Sequence, residues 1–445
     1  MSGKVLSIIY GTLCGIIATV YLALVLPISK SFPFNDDWIY VEVLGSSWGN
    51  VLRWAMAQHV DHRIPFTKLV QFATLRLSGF DFRALIVLNV VWALCGALAM
   101  FGVARRLRGY CHLGDLIIPM ICLNYAFELF FLGLGGQYLM AVSSSAIFLF
   151  FLGKSLERDN RRLQILSFGF LFICGLSGMN GLVVAFVASG GVFAACLLQG
   201  PSTTHTVARY VSLVILLTCA AVYAGWKPTE ASASPFSVPL GQIIDFAYQL
   251  SKSSFAVDAL SGAWWRSAIV ISLTLTAAGV ALREVQRARQ SGSIDLFTIA
   301  VYSSFVGYIW LAASIVVGRA ARVPWTPGLE AHYGYLITPI PIFAWLIISN
   351  SAKPALNGML AIILLGLYTH SFVHSARWRL YYAWYSAGRY AEIAQLIRSD
   401  LAPAEITRRY MSDLFFIDEP YYRKQIEDDI VKLRAYGGPL YGPVH

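Results

Sequence analysis

Asp36 and Asp37 stand side by side just past the first apolar run, in Phe34-Asn35-Asp36-Asp37-Trp38. Adjacent carboxylates at a membrane–water boundary suit sugar transfer from a lipid phosphate to a hydroxyl. Such a reaction needs a group to accept the hydroxyl proton, or to hold a metal on the donor phosphate. Two neighbouring side chains of an extended loop point in different directions, so one can face the reacting centre while the other orients a neighbour. The plain alternative is an Asx-turn or helix cap opening the segment at Trp38.

A second polar cluster follows in Gln58-His59-Val60-Asp61-His62-Arg63. Arg63 offers a planar fork for a phosphate, and His59 or His62 can donate to its oxygens. Equally, these groups can satisfy one another in a loop beside lipid headgroups. Arg319 and Arg322 precede Pro324-Trp325, with His332 and Tyr333 just beyond. Interfacial arginines commonly snorkel to headgroups, yet two of them beside a histidine and a tyrosine also fit anion recognition. Glu128 lies within an apolar run, with Asn124 one turn earlier on the same helix face and Gly135-Gly136-Gln137 after it. A carboxylate at that depth is costly and marks either a functional group or a structural ion pair.

The elements that must position these residues are membrane helices. The 445 residues are 57% hydrophobic and only 13% charged, with a mean hydropathy of +0.61. That excludes a soluble domain and predicts an all-α polytopic membrane protein. Apolar runs fall at about 5–27, 84–104, 114–134, 138–153, 163–179, 181–198, 209–226, 265–282, 294–317, 334–349 and 355–372, about eleven transmembrane helices. The first lacks a small-residue cleavage site and reads as a signal anchor. The net charge of +10 is topological: Arg105, Arg106 and Arg108, then Lys154, Arg158, Arg161 and Arg162, then Arg283, Arg287 and Arg289 occupy alternate short connections. This is the positive-inside pattern, and it argues against nucleic acid as a partner. The seven cysteines lie in spans or on the basic side, so no disulfide framework is expected, and no Cys/His spacing resembles a zinc site.

Three outward segments remain. The first, 28–83, is too long for a simple connection, and Val51–Gln58 and Phe66–Leu77 carry apolar residues at the spacing of interfacial helices. The second, 227–264, is rich in Pro, Ser and Ala and ends at the interfacial anchors Trp264 and Trp265. The third, 318–333, holds Arg319 and Arg322. From 373 the composition turns polar, and Tyr390–Ser399 and Tyr421–Leu433 read as helices of a small helical appendage. The expected organisation is a catalytic transmembrane domain over 1–372 and a small outer helical domain over 373–445.

Together these residues resemble the GT-C superfamily, multi-span glycosyltransferases that use polyprenyl-phosphate sugars on the outer face of the membrane. More specifically, the chain resembles a bacterial group with Asp-Asp-Trp after the first span and then Gln-His-x-Glu-His-Arg. That group also carries a Glu-Asn and Gln pattern in a later span, and a late loop with Arg and then Ser-Arg-Tyr. The matches are Asp36-Asp37-Trp38, Gln58-His59 with Asp61-His62-Arg63, Glu128 with Gln137, Arg319, and Tyr333. Asp61 replaces the usual glutamate, and Ala331-His332-Tyr333 stands where Ser-Arg-Tyr is expected, so His332 takes the arginine's place.

The resemblance covers roughly 5–350. It implies a multi-pass protein of the bacterial inner membrane with its active site facing the periplasm. An aspartate there acts as general base in an inverting transfer. Arg63, His59, His62, Arg319, Arg322, His332 and Tyr333 would serve the donor phosphate, with Asp61, Glu128 and Gln137 in support. The implied partners are a polyprenyl-phosphate-linked sugar, membrane lipids, and an acceptor that is an envelope glycan, a lipid or a protein. No cofactor follows from the pattern, and a divalent metal stays open. The alternatives are a lipid-linked-glycan ligase or polymerase, and a flippase or transporter. The latter usually shows repeated halves, and no clear repeat is present here.

Overall fold

A computed structural model describes residues 3–59, 62–124, 133–199, 203–227, 238–255, 264–291, 295–320, 331–415 and 417–437. It is an all-helical polytopic membrane fold. Among the described residues, nine helices are long and apolar enough to cross a membrane, against the eleven expected. The run at 163–179 is the 16-residue helix Arg161–Leu176. The run at 114–134 begins as a short apolar helix, Leu113–Cys122, and its remainder lies largely outside the described residues.

The bundle has two chemically different ends. Helices Arg83–Arg108, Gly136–Arg158 and Trp264–Ser291 all finish in basic turns. At this end Arg106 pairs with Glu157 at 3.4 Å, and Glu157 also takes Lys154 at 2.7 Å. Gly109, at φ +77°, stops the first of these helices, a left-handed cap that glycine adopts without steric cost. Arg108 then turns inward to Asp115 at 2.5 Å, with both side chains almost fully buried. Further bonds hold the pair: Asp115 accepts from Trp345 Nε1 at 3.0 Å and from the His112 amide at 2.9 Å, and Arg108 donates to Ser349 Oγ at 2.7 Å. Breaking such a pair on one side leaves an uncompensated buried charge, which costs about 3–5 kcal/mol. Asp115→Ala is therefore expected to lower thermal stability in detergent sharply, whereas a charge removed from the exposed Arg287–Glu284 pair should shift it little.

The opposite end carries the first loop and the C-terminal helices. The loop is helical, as expected: a 3₁₀ segment Asn35–Val43, then α-helices Trp48–Met56 and Pro65–Leu77. The last apolar run does not end at 373. It belongs to one helix, Pro354–Arg398, of 45 residues. Helices Pro403–Leu414 and Pro420–Tyr436 follow. Their buried Ile406, Met411, Leu414, Ile426, Ile430 and Leu433 join Phe32, Trp38, Val41 and Phe80 of the first loop in one apolar cluster. All seven cysteines are free thiols.

Candidate active site

The 3₁₀ segment Asn35–Val43 fixes the two aspartates on different faces. A 3₁₀ helix has three residues per turn, so successive side chains diverge by about 120° and residues three apart share a face. Asn35 enters it at φ +53°, a left-handed conformation that asparagine tolerates better than most residues. Trp38 and Val41 then share the face toward the C-terminal helices, where Trp38 Nε1 donates to the Leu414 carbonyl at 3.1 Å.

Asp37 and Tyr40 share a second face, which clasps the entry to helix Gly136–Arg158. Asp37 is 4% exposed, and its carboxylate accepts from the amides of Leu134 at 2.7 Å and Gly133 at 3.1 Å. Tyr40 donates to Gln71 Oε1, and Gln71 Nε2 donates to the Gly133 carbonyl. There is no room here for side chains. A Cβ on Gly133 would lie 2.8 Å from Asp37 Oδ1, and one on Gly136 would lie 2.3 Å from Gln71 Nε2. Burial raises the Asp37 pKa to about 7; the two amides and Lys30 oppose that rise, while neighbouring Asp36 adds to it. Both Asp37 oxygens are engaged in holding a helix entry. Asp37 does not cap its own segment, which opens at Phe34 without a side-chain cap; it bonds instead across to the segment before helix Gly136–Arg158.

Asp36 occupies the third face. It is half-buried and accepts no hydrogen bond from a described residue, and burial raises its pKa above the ordinary carboxylate value. It lies within electrostatic range of Tyr138, which in turn is within range of Arg319 and Tyr333. Tyr138 stacks on His332 with ring centroids 5.4 Å apart. His332 meets Tyr333 at 4.0 Å, and the Arg319 guanidinium lies 5.7 Å from the Tyr333 ring centre. His62 is within electrostatic range of His332. The fold therefore gathers Asp36, His62, Tyr138, Arg319, His332 and Tyr333 at one end of the bundle.

The 58–63 segment is fixed from the side. His59 and His62 exchange backbone hydrogen bonds of 2.7 and 2.8 Å, closing a tight turn. Gln58 clamps Lys227 through both amide atoms, and Arg63 Nη2 donates to the Gly225 carbonyl. One nitrogen of the Arg63 fork is thus spent on the end of helix Thr203–Ala224. Its Nε, His59 Nε2 and Gln137 Oε1 are buried without a hydrogen bond among the described residues. Burial, then Lys68 and His62, lower the His59 pKa to about 4, so this ring is neutral at pH 7. Gln137 faces Gly178, whose φ of +151° excludes other residues and whose Cβ would sit 3.4 Å from Oε1.

Asp61, Glu128 and Arg322 lie outside the described residues. Among the described residues no three His, Cys, Asp or Glu side chains are grouped to hold a metal. Sequence reasoning missed Tyr138, Tyr40, Gln71 and the Gly133–Leu134 amides. Only the glycine run around Gly133–Gly136 hinted at the close approach.

No protein-family model matches the chain, and no curated protein matches it. Among solved structures, the chain is similar to the archaeal oligosaccharyltransferase AglB from Archaeoglobus fulgidus in complex with an inhibitory peptide and a dolichol-phosphate. The TM-score is 0.47 and the identity 13%, over 93% of this chain and 60% of that one. An A. fulgidus oligosaccharyltransferase tethered to an acceptor peptide gives 0.46 at 10% identity, over 94% and 63%. Its complex with Zn and sulfate gives 0.40 at 12%, over 90% and 57%. This chain spans about three fifths of the length of those archaeal proteins.

Proposed function

We propose that this chain is a GT-C-type glycosyltransferase that moves a monosaccharide from a polyprenyl phosphate to an acceptor hydroxyl at the outer face of the bacterial cytoplasmic membrane. The observation that carries the reading is Asp36. It is a half-buried carboxylate that accepts no hydrogen bond from a described residue, beside an arginine–tyrosine–histidine group, at the bundle end opposite the basic turns. By the positive-inside rule those turns favour the cytoplasmic side, which supports an outward-facing site.

In the reaction Asp36 takes the acceptor's hydroxyl proton as the oxygen attacks the anomeric carbon. The bond from that carbon to the phosphate oxygen breaks with inversion, and the lipid phosphate leaves with the electron pair. Arg319 and the Tyr333 hydroxyl stabilise the charge on the leaving phosphate, where preorganised donors count most. Neutral His59 and the committed Arg63 shape the loop; the His62 and His332 rings offer N–H donors. Asp37 keeps the loop against the helix entry.

The test is turnover with the full chain in lipid nanodiscs, given polyprenyl-phosphate hexoses and pentoses in turn, with release of polyprenyl phosphate as readout. At least one donor should stabilise the protein and be consumed when envelope lipids, glycans or proteins are added. A hydrogen bond to a charged group contributes about 1.5–3 kcal/mol, so Arg319→Ala should raise the donor KM tenfold or more. If no lipid-phosphate sugar stabilises or turns over, the reading fails.

A further inference from the structure

The long helix Pro354–Arg398 exposes side chains in an order that reads like a section through a bilayer. In its first half the exposed large hydrophobic groups are aliphatic, Leu356, Met359, Ile362, Ile363 and Val373, with Thr369, His370 and His374 exposed toward the end of that half. Then come Trp378, Tyr381, Tyr382, Trp384 and Tyr385, each between 47% and 75% exposed. Arg377 is exposed beside them, and the Arg379 guanidinium lies 5.6 Å from the Trp378 ring centre. Beyond the collar the helix is tied to polar partners, as in the 2.5 Å pair of Arg389 with Asp413.

A helix rises about 1.5 Å per residue, so the path from Pro354 to Tyr385 is about 47 Å, comparable to the ~40–45 Å of a bilayer with its headgroups. Pro354 lies at the basic end, where Asn357 donates to the Ser349 carbonyl and Ser349 takes Arg108. Aromatic rings with one wet edge collect where headgroups meet acyl chains. We propose that Trp378–Tyr385 is a lipid-binding collar seated in the headgroup layer of the leaflet on the Asp36 side. Its rings meet the acyl–glycerol boundary, and Arg377 and Arg379 meet lipid phosphates. The same helix continues into the apolar cluster that includes Trp38, so the collar sets the height of the Asp36 segment above the membrane. This holds whatever reaction the chain performs.

The experiment places a nitroxide on single cysteines at Ile362, Tyr381, Tyr385 and Ala391, in a Cys95→Ser, Cys111→Ser background of the full chain in phosphatidylglycerol-containing nanodiscs. Collision with oxygen is compared with collision with a water-soluble nickel chelate. The label at 362 should favour oxygen, the one at 391 the chelate, and those at 381 and 385 should lie between. Unlabelled protein gives a second measure: lipids brominated near the headgroup should quench less tryptophan emission in Trp378→Phe/Trp384→Phe than in the parent. Labels at 381 and 385 that match 391, or that are shielded only by added glycan or by a second copy of the chain, would overturn the proposal. So would labels as deep as 362.

Discussion

Asp36→Asn is expected to lower sugar transfer by about 10²–10⁴, the usual loss when a general base is removed, while the protein keeps its unfolding temperature. Asp36 makes no hydrogen bond to a described residue, so the amide replaces nothing structural. Asp37→Asn is expected to act differently. Asp37 accepts from two backbone amides, and an asparagine there must turn one N–H against a donor. The entry to helix Gly136–Arg158 should loosen, with stability falling by about 1–3 kcal/mol.

The two variants also part on pH. A base works only when ionised, and burial raises the Asp36 pKa, so transfer should fall with decreasing pH at a point above the ordinary carboxylate range. For folding the sign is opposite in character: Asp37 has a folded pKa raised to about 7 against about 3.9 unfolded. The fold then holds a proton the unfolded chain has lost, so its contribution to stability is full below pH ~4 and is lost on rising to ~7. Asp37→Asn should flatten that dependence in unfolding scans. Near-normal turnover of a verified donor by both variants would move the base to Asp61 or Glu128.

The membrane helices were legible because apolar length alone decides whether a segment can cross a bilayer, and the runs at 84–104 and 181–198 became helices Arg83–Arg108 and Met179–Leu198. The run at 163–179 became the shorter, 16-residue helix Arg161–Leu176. The composition changes at 373, but the backbone does not: helix Pro354–Arg398 runs through that point unbroken. What could not be read was which of Asp36 and Asp37 is held by backbone amides. It depends on amides 96 and 97 residues away and on a 3₁₀ segment longer than its intrinsic stability explains. Tyr138 was invisible for the same reason, since only tertiary packing stacks it on His332.

That 3₁₀ segment leads to the second large expectation: removing residues 400–445 should abolish transfer while the membrane helices stay folded. Nine residues of 3₁₀ structure need outside support, since runs beyond three or four are uncommon. Trp38 supplies one anchor through the Leu414 carbonyl, and the Phe80 ring meets Tyr436 at 5.1 Å. Arg434 secures the cap by donating to the carbonyls of Ile397 at 2.7 Å and Leu401 at 2.8 Å. Each buried aliphatic side chain lost from the cluster forfeits about 1.5–3 kcal/mol, and Ile406, Leu414, Ile430 and Leu433 are all fully buried. Truncation would bare Trp38 and Val41 to water and free the face that fixes the direction of Asp36. Ile430→Asp should reproduce the loss without shortening the chain, and Trp38→Phe should do so mildly, keeping the ring but losing one hydrogen bond of about 1 kcal/mol. Because the donor group at Arg319 is untouched, donor KM should hold while kcat falls. A truncated protein with full kcat would show that the first loop keeps its shape unaided, and the C-terminal helices would then have no part in the reaction.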